Sequence, residues 1–156
     1  MKKILLLSVS HLAFAAIGFA AGIYFLPILT APTGPSSEAM AIAKTDAQYE
    51  GTFKRELEGS DFFHWGEGDV SVGQKFISLQ GKLAPGPDYK LYLSPKLVET
   101  ETDFKLLKSE MQLVGDIKIF DNFVAPVAEG IDIEAYSAVI IWCETFGEFI
   151  TAATYK

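Results

Sequence analysis

Ile4 to Leu29 contains no charged residue, and Lys2 and Lys3 stand directly before it. Only Ser8, Ser10 and His11 interrupt its apolar character. A bilayer hydrocarbon core is ~30 Å thick and takes about 20 apolar residues as a helix, so this run is long enough to span with some tilt. The competing expectation is a cleaved signal peptide, whose apolar core is usually about 7–15 residues and ends in a small-x-small site. Here the run is longer, and it ends in Ile23-Tyr-Phe-Leu-Pro-Ile-Leu29, which is bulky rather than small. A retained single-pass anchor over residues 1–30 is therefore expected, with residues 4–29 in the membrane. Lys2 and Lys3 place the N-terminus in the cytoplasm and the following domain in a periplasmic or extracellular space. His11 lies close to the N-terminal end of the span and is read as a tolerated neutral imidazole.

The charge balance of the remainder restricts its partners. Without Lys2 and Lys3, 11 Lys and Arg face 20 Asp and Glu, a net charge of −9 over residues 31–156. Binding to phosphates needs clustered cations, so a nucleic-acid partner is not expected. The acidity serves solubility, or docking onto a basic redox protein.

Thr30-Ala-Pro-Thr-Gly-Pro-Ser-Ser37 lacks an apolar period and reads as the start of a linker over residues 31–48. Glu38 to Ala47 allows a short helix with a weak stripe. From Tyr49, short strand-like runs recur between Gly and Pro turns: Tyr49–Phe53 and Tyr89–Leu93, which alternate, and Gly68–Gly73, Gln74–Gln80, Val114–Phe120, Ser137–Thr145 and Phe149–Tyr155. Asp103–Glu110 has room for one or two helical turns. That texture predicts an all-β domain over residues 49–156, an antiparallel β-sandwich or barrel behind one N-terminal transmembrane helix. In the run Tyr136-Ser-Ala-Val-Ile-Ile-Trp-Cys-Glu-Thr-Phe146, Val139, Ile141 and Cys143 share one face, and Ala138, Ile140 and Trp142 share the other. Both faces are apolar, so this strand is expected to be central and covered on both sides.

Cys143 is the single cysteine. It cannot form an intramolecular disulfide, and in an oxidising compartment an unpaired thiol must be buried, liganded or deliberately reactive. Cys-x-x-Cys and Cys-x-x-Cys-His are absent, which removes disulfide oxidoreductase and covalent haem chemistry. Beyond the anchor the only histidine is His64, too few for blue copper or structural zinc, and no metal site is expected. No nucleophile elbow or phosphate loop occurs, so the reading leans away from an enzyme. Non-covalent haem-iron ligation survives, with Cys143, His64 and Met111 as capable ligands. The plainer readings are a core thiol for Cys143, a loop histidine packed on Trp65 for His64, and filler for Met111. Glu144, next in sequence, is expected to raise the thiol pKa.

The order Gly51-x-Phe53, Gly68-Asp-Val-x-Val72, Pro85-Gly-Pro-Asp-x-x-x-Tyr-Leu-Ser94, Val114-Gly-Asp-Ile-Lys118, Pro126, Tyr136-Ser-Ala-Val-Ile-Ile-Trp-Cys143 and Phe149…Ala152-Ala153 resembles the DM-thirteen domain family, over about residues 49–155. The resemblance implies an all-β domain outside the cytoplasm. It also implies a proposed electron-transfer role for Cys143, as a free thiol or through a bound group such as haem. Trp142 and Phe146 would wall that site, with His64 or Met111 as a second ligand. The alternative is a non-catalytic extracytoplasmic binding or structural β domain in which Cys143 is core.

Overall fold

The computed structural model describes all 156 residues. The apolar run forms one helix, α1 (Lys2–Thr30), with Pro27 inside its last turn. Proline there has no N–H to give and fixes its own φ, so it weakens the ladder near the helix end. The helix buries none of its residues fully, and it is long and apolar enough to cross a membrane. His11 Nδ1 hydrogen-bonds the Leu7 carbonyl at 2.7 Å, which satisfies the ring within its own helix.

Part of the segment expected as linker is ordered. Residues 37–46 form α2 (Ser37–Asp46), started by Ser36, whose hydroxyl accepts from the Ala39 N–H at 3.1 Å. Ala43 is buried, and the Asp46 carboxylate accepts from the Lys75 and Phe76 amides at 2.8 and 3.1 Å. The last residue of α2 thus closes the turn between two strands far along the chain.

Eight strands follow: β1 (Ala47–Phe53), β2 (Gly66–Gly73), β3 (Phe76–Leu83), β4 (Tyr89–Ser94), β5 (Gln112–Ile117), β6 (Phe123–Pro126), β7 (Ala138–Cys143) and β8 (Glu148–Thr154). They form two antiparallel sheets of four, ordered β1-β2-β3-β6 and β5-β4-β7-β8. The sheets do not close on each other, so the barrel alternative falls. The all-β expectation is corrected as well, since α1, α2 and a third helix, α3 (Glu101–Leu107), belong to the chain. Thr100 caps α3 by accepting from the Asp103 N–H at 3.2 Å.

The two sheets share one core. Val70, Val72, Ile77 and Leu79 come from the first, and Leu91, Leu93, Val139 and Ile141 from the second. Each such side chain contributes ~1.5–3 kcal/mol by leaving water. A smaller core lies on the outer side of the second sheet, where Phe104 of α3 packs on Tyr92, Ile140, Trp142 and Phe149. β7 sits between β4 and β8 and is buried at every position, which is the central, doubly covered strand its sequence predicts.

Two elements depart from expectation. Val114–Phe120 was predicted as one strand, but β5 spans Gln112–Ile117, and Phe120 instead places its carbonyl on the Leu83 N–H at 2.7 Å. The Asp121-Asn122 break is followed by β6, not by loop alone. It is an edge strand paired only with β3, and its terminal Pro126 costs no ladder bond a neighbour needs.

Candidate functional site

Cys143 ends β7, directly opposite Tyr89, the first residue of β4. Both side chains point into the shared core. The core is incomplete at this end. A cavity of about 390 Å³ is lined by Cys143, Tyr89, Ile150, Phe146, Glu148, His64 and Phe63, by Pro85-Gly-Pro87, and by Ala20, Ile23 and Tyr24 of α1. Small-molecule sites of ~300–1,000 Å³ with apolar walls and a few polar groups are of this kind.

Each wall has a local cause. Pro85 and Pro87 hold the β3–β4 connection extended, and Gly86 lies flat on the Tyr89 ring. A Cβ at Gly86 would stand 2.3 Å from a ring carbon, so any side chain there would displace the Tyr89 ring. Asp88 fastens this wall to the β7–β8 turn: its carboxylate accepts from the Thr145 hydroxyl at 2.9 Å, and its carbonyl from the Glu144 N–H at 3.0 Å. The turn closes through the Gly147 N–H on the Cys143 carbonyl at 2.9 Å, with Gly147 at φ +68°, where glycine is unstrained. Phe146 is carried over the cavity by this turn.

Asp61 arranges the opposite rim. Its carboxylate accepts from the Phe63 and His64 amides at 2.6 and 2.8 Å and meets His64 Nδ1 at 3.0 Å. Burial acts to raise the Asp61 carboxyl, but these bonds outweigh it and hold the group below the usual carboxylate range. With Nδ1 turned to the carboxylate, His64 keeps its other ring nitrogen for the cavity. Beside it, Arg55 covers the Trp65 ring at 3.7 Å.

Cys143 is 3 % exposed. Burial pushes its thiol up and the Asp88 charge adds to this, while the backbone amides of Phe146, Asp88 and Thr145 act the other way. The expected effect of Glu144 is corrected. Its carboxylate turns to the other side of the sheet, where it meets Lys108 Nζ at 2.7 Å and the Tyr92 hydroxyl, so it does not set the thiol's pKa. Burial also pushes the Tyr89 phenol well above its ordinary value, with Cys143 and Tyr24 adding to it.

Of the five residues singled out from sequence, Cys143, His64 and Phe146 meet at one cavity, and Trp142 and Met111 do not reach it. Trp142 stacks on Phe104 at 3.9 Å and 9° on the far face of the sheet. Met111 packs against that same outer cluster. No cluster of three or more His, Cys, Asp or Glu side chains has metal-binding geometry. Tyr89, Phe63 and Tyr24 were missed. Tyr89 follows Pro85-Gly-Pro-Asp88 and alternates in phase with Leu91 and Leu93, but its partner across the strand is a matter of pairing.

A family model described as Electron transfer DM13 matches residues 56–155. The match covers the loop that carries His64, both sheets except β1, and the Pro-Gly-Pro and Trp-Cys segments of the cavity. No curated protein and no solved structure matches the chain. The chain belongs to the electron-transfer DM13 family.

Proposed function

We propose that this member of the electron-transfer DM13 family is a membrane-anchored, exported β-sandwich domain whose redox role centres on Cys143. α1, with residues 4–29 in lipid, holds it as a single-pass protein with a cytoplasmic N-terminus and a periplasmic or extracellular domain. The observation that carries the reading is the cavity that joins Cys143, Tyr89 and His64 at one end of an otherwise filled core. A second protein with complementary basic charge is the natural redox partner for a domain of net charge −9.

The arrangement favours a bound redox group over direct thiol exchange. Exchange needs an accessible thiolate, and burial here holds the sulfur neutral and covered. Haem, which the resemblance allows, fits these residues only halfway. Cys143 and His64 do share the cavity, but ligation by sulfur needs the thiolate form that this environment disfavours, and Met111 is on another face. The reading therefore does not depend on iron.

A redox titration of the full-length protein, purified in detergent from its native membrane and followed by absorbance, tests the reading. A reversible signal is expected, and Cys143→Ala should shift or abolish it while circular dichroism stays unchanged. A protein silent at every potential, with the variant indistinguishable, would sink it.

A second reading rests on the near-complete burial of Cys143 within the shared core: a non-catalytic extracytoplasmic binding or structural domain with an inert thiol. It expects Cys143→Ser to cost ~1–3 kcal/mol of stability, the range for burying a poorly paired hydroxyl, and to change nothing else.

A further inference from the structure

The cavity has three properties that specify an occupant. Its walls are apolar and aromatic. Tyr89 is 2 % exposed as a residue and lines the cavity, and its hydroxyl is not among the polar atoms sealed in the core. Open to the cavity rather than sealed, this hydroxyl can donate to an acceptor carried by an occupant. Facing the same space, His64 is steadied by Asp61 through Nδ1, which leaves its second ring nitrogen to meet a hydroxyl or carbonyl of a ligand. The set suits a flat apolar ring bearing oxygens: a ring carbonyl accepts from the Tyr89 hydroxyl, and the reduced form donates to His64.

The route into the cavity is set by α1. At about 1.5 Å rise per residue, a ~30 Å hydrocarbon core takes about 20 of residues 4–29, and the rest of the run reaches into the interface. Ala20, Ile23 and Tyr24, which line the cavity, then lie toward the far boundary of the core. A depression of about 530 Å³ shares Ile23, Pro87 and Phe146 with the cavity and continues along α1 past Phe19, Leu26 and Pro27. Around this end stand the exposed aromatics Phe62, Phe63 and Phe146, at 81, 54 and 51 %. Phe63 meets Tyr24 edge-on at 6.1 Å, tying the rim of the domain to the helix. Three uncovered phenylalanines beside a lipid-spanning helix are at home in the membrane interface and poorly placed in water.

We infer that the cavity takes a lipid-dissolved carrier of the quinone class, which enters from the bilayer alongside α1. This rests on the membrane-anchored electron-transfer reading and names the bound group.

Full-length protein in phosphatidylcholine vesicles provides the test. Cys143 is alkylated with an apolar maleimide that partitions into lipid and, separately, with a charged one that does not. The lipid-partitioned reagent is expected to react about tenfold faster, as an apolar route predicts. A fully substituted decyl-benzoquinone, with no free ring position for thiol addition, should slow that reaction when dissolved in the vesicles. Tyr89→Phe should weaken the protection about fivefold, the value of one hydrogen bond, and leave the labelling preference intact. Equal rates for the two reagents, no reaction with either, or no protection by the quinone each overturns the inference. Protection that Tyr89→Phe does not change overturns the quinone assignment in favour of any apolar lipid. If labelling and protection occur as stated in a protein with no redox signal, the electron-transfer reading fails and the lipid-facing site stands.

Discussion

The two faces of β7 are equally apolar in sequence and are finished differently. On the outer face, Trp142 is clamped: Phe104 stacks on it, α3 seals it from water, and Lys108 and Glu144 close the edge. On the inner face, Cys143 is one residue further along and just as buried, yet it ends at a cavity rather than a neighbour. The outer face is covered by a helix of the domain itself. The inner end is roofed in part by α1, a helix long and apolar enough to span a membrane. Burial alone therefore does not separate a structural position from a site. What separates them is whether the domain supplies the last contact.

The largest effect that sharpens this contrast is expected at the outer face. Trp142→Ala removes a stacked, sealed side chain and should cost ~3–5 kcal/mol in chemical denaturation of the full chain. Cys143→Ala, which only enlarges an existing void, should cost ~1 kcal/mol. Equal costs would mean that the inner end is packed as tightly as the outer. Next, a double-mutant cycle between Phe104 and Trp142 should return a coupling of ~0.5–1.5 kcal/mol for the stacked pair, and a coupling near zero would break the account of the clamp.

The pH response of the inner face is of intermediate size. The folded thiol titrates above its ordinary value because burial disfavours the thiolate. Its contribution to stability is thus complete below the unfolded thiol pKa, ~8.5, and is lost as pH rises through the folded one. Alkylation of the native protein should be slow at pH 7 and climb only in the alkaline range. Fast labelling at neutral pH would show the sulfur to be open and activated. The smallest effect is expected at Thr151, a fully buried residue of β8 whose hydroxyl has no partner. Thr151→Val should leave stability unchanged or raise it by ~1 kcal/mol, and a loss above that would reveal an unrecognised polar contact.

Much of the fold was legible because its signals are local. Alternation marked β4, continuous apolar runs marked β7 and β8, and the Gly and Pro turns marked where they stop. β6 was hidden by Asp121-Asn122 and Pro126, which resemble a break until an edge partner is known. α2 was legible only as an allowed short helix over Glu38–Ala47, because Ala43 alone on it becomes buried, too little for a periodic stripe. For the site, sequence neighbours misled. Trp142 and Glu144 flank Cys143 in the chain and therefore lie on the opposite face of the strand. Asp88 and Tyr89, more than fifty residues away, are what the sulfur meets.

From sequence alone followed the lipid-length helix, the acidic antiparallel β domain behind it, and a lone thiol on a strand covered on both sides. These are properties of composition and period, which act within a few residues. Only the tertiary structure decided that Cys143 faces a cavity, that His64 and Tyr89 share it, and that Trp142 and Met111 do not. Those facts depend on which strands pair, in what register, and where α1 and the Asp61 loop come to rest. Such contacts join residues far apart in the chain, and no local pattern records them.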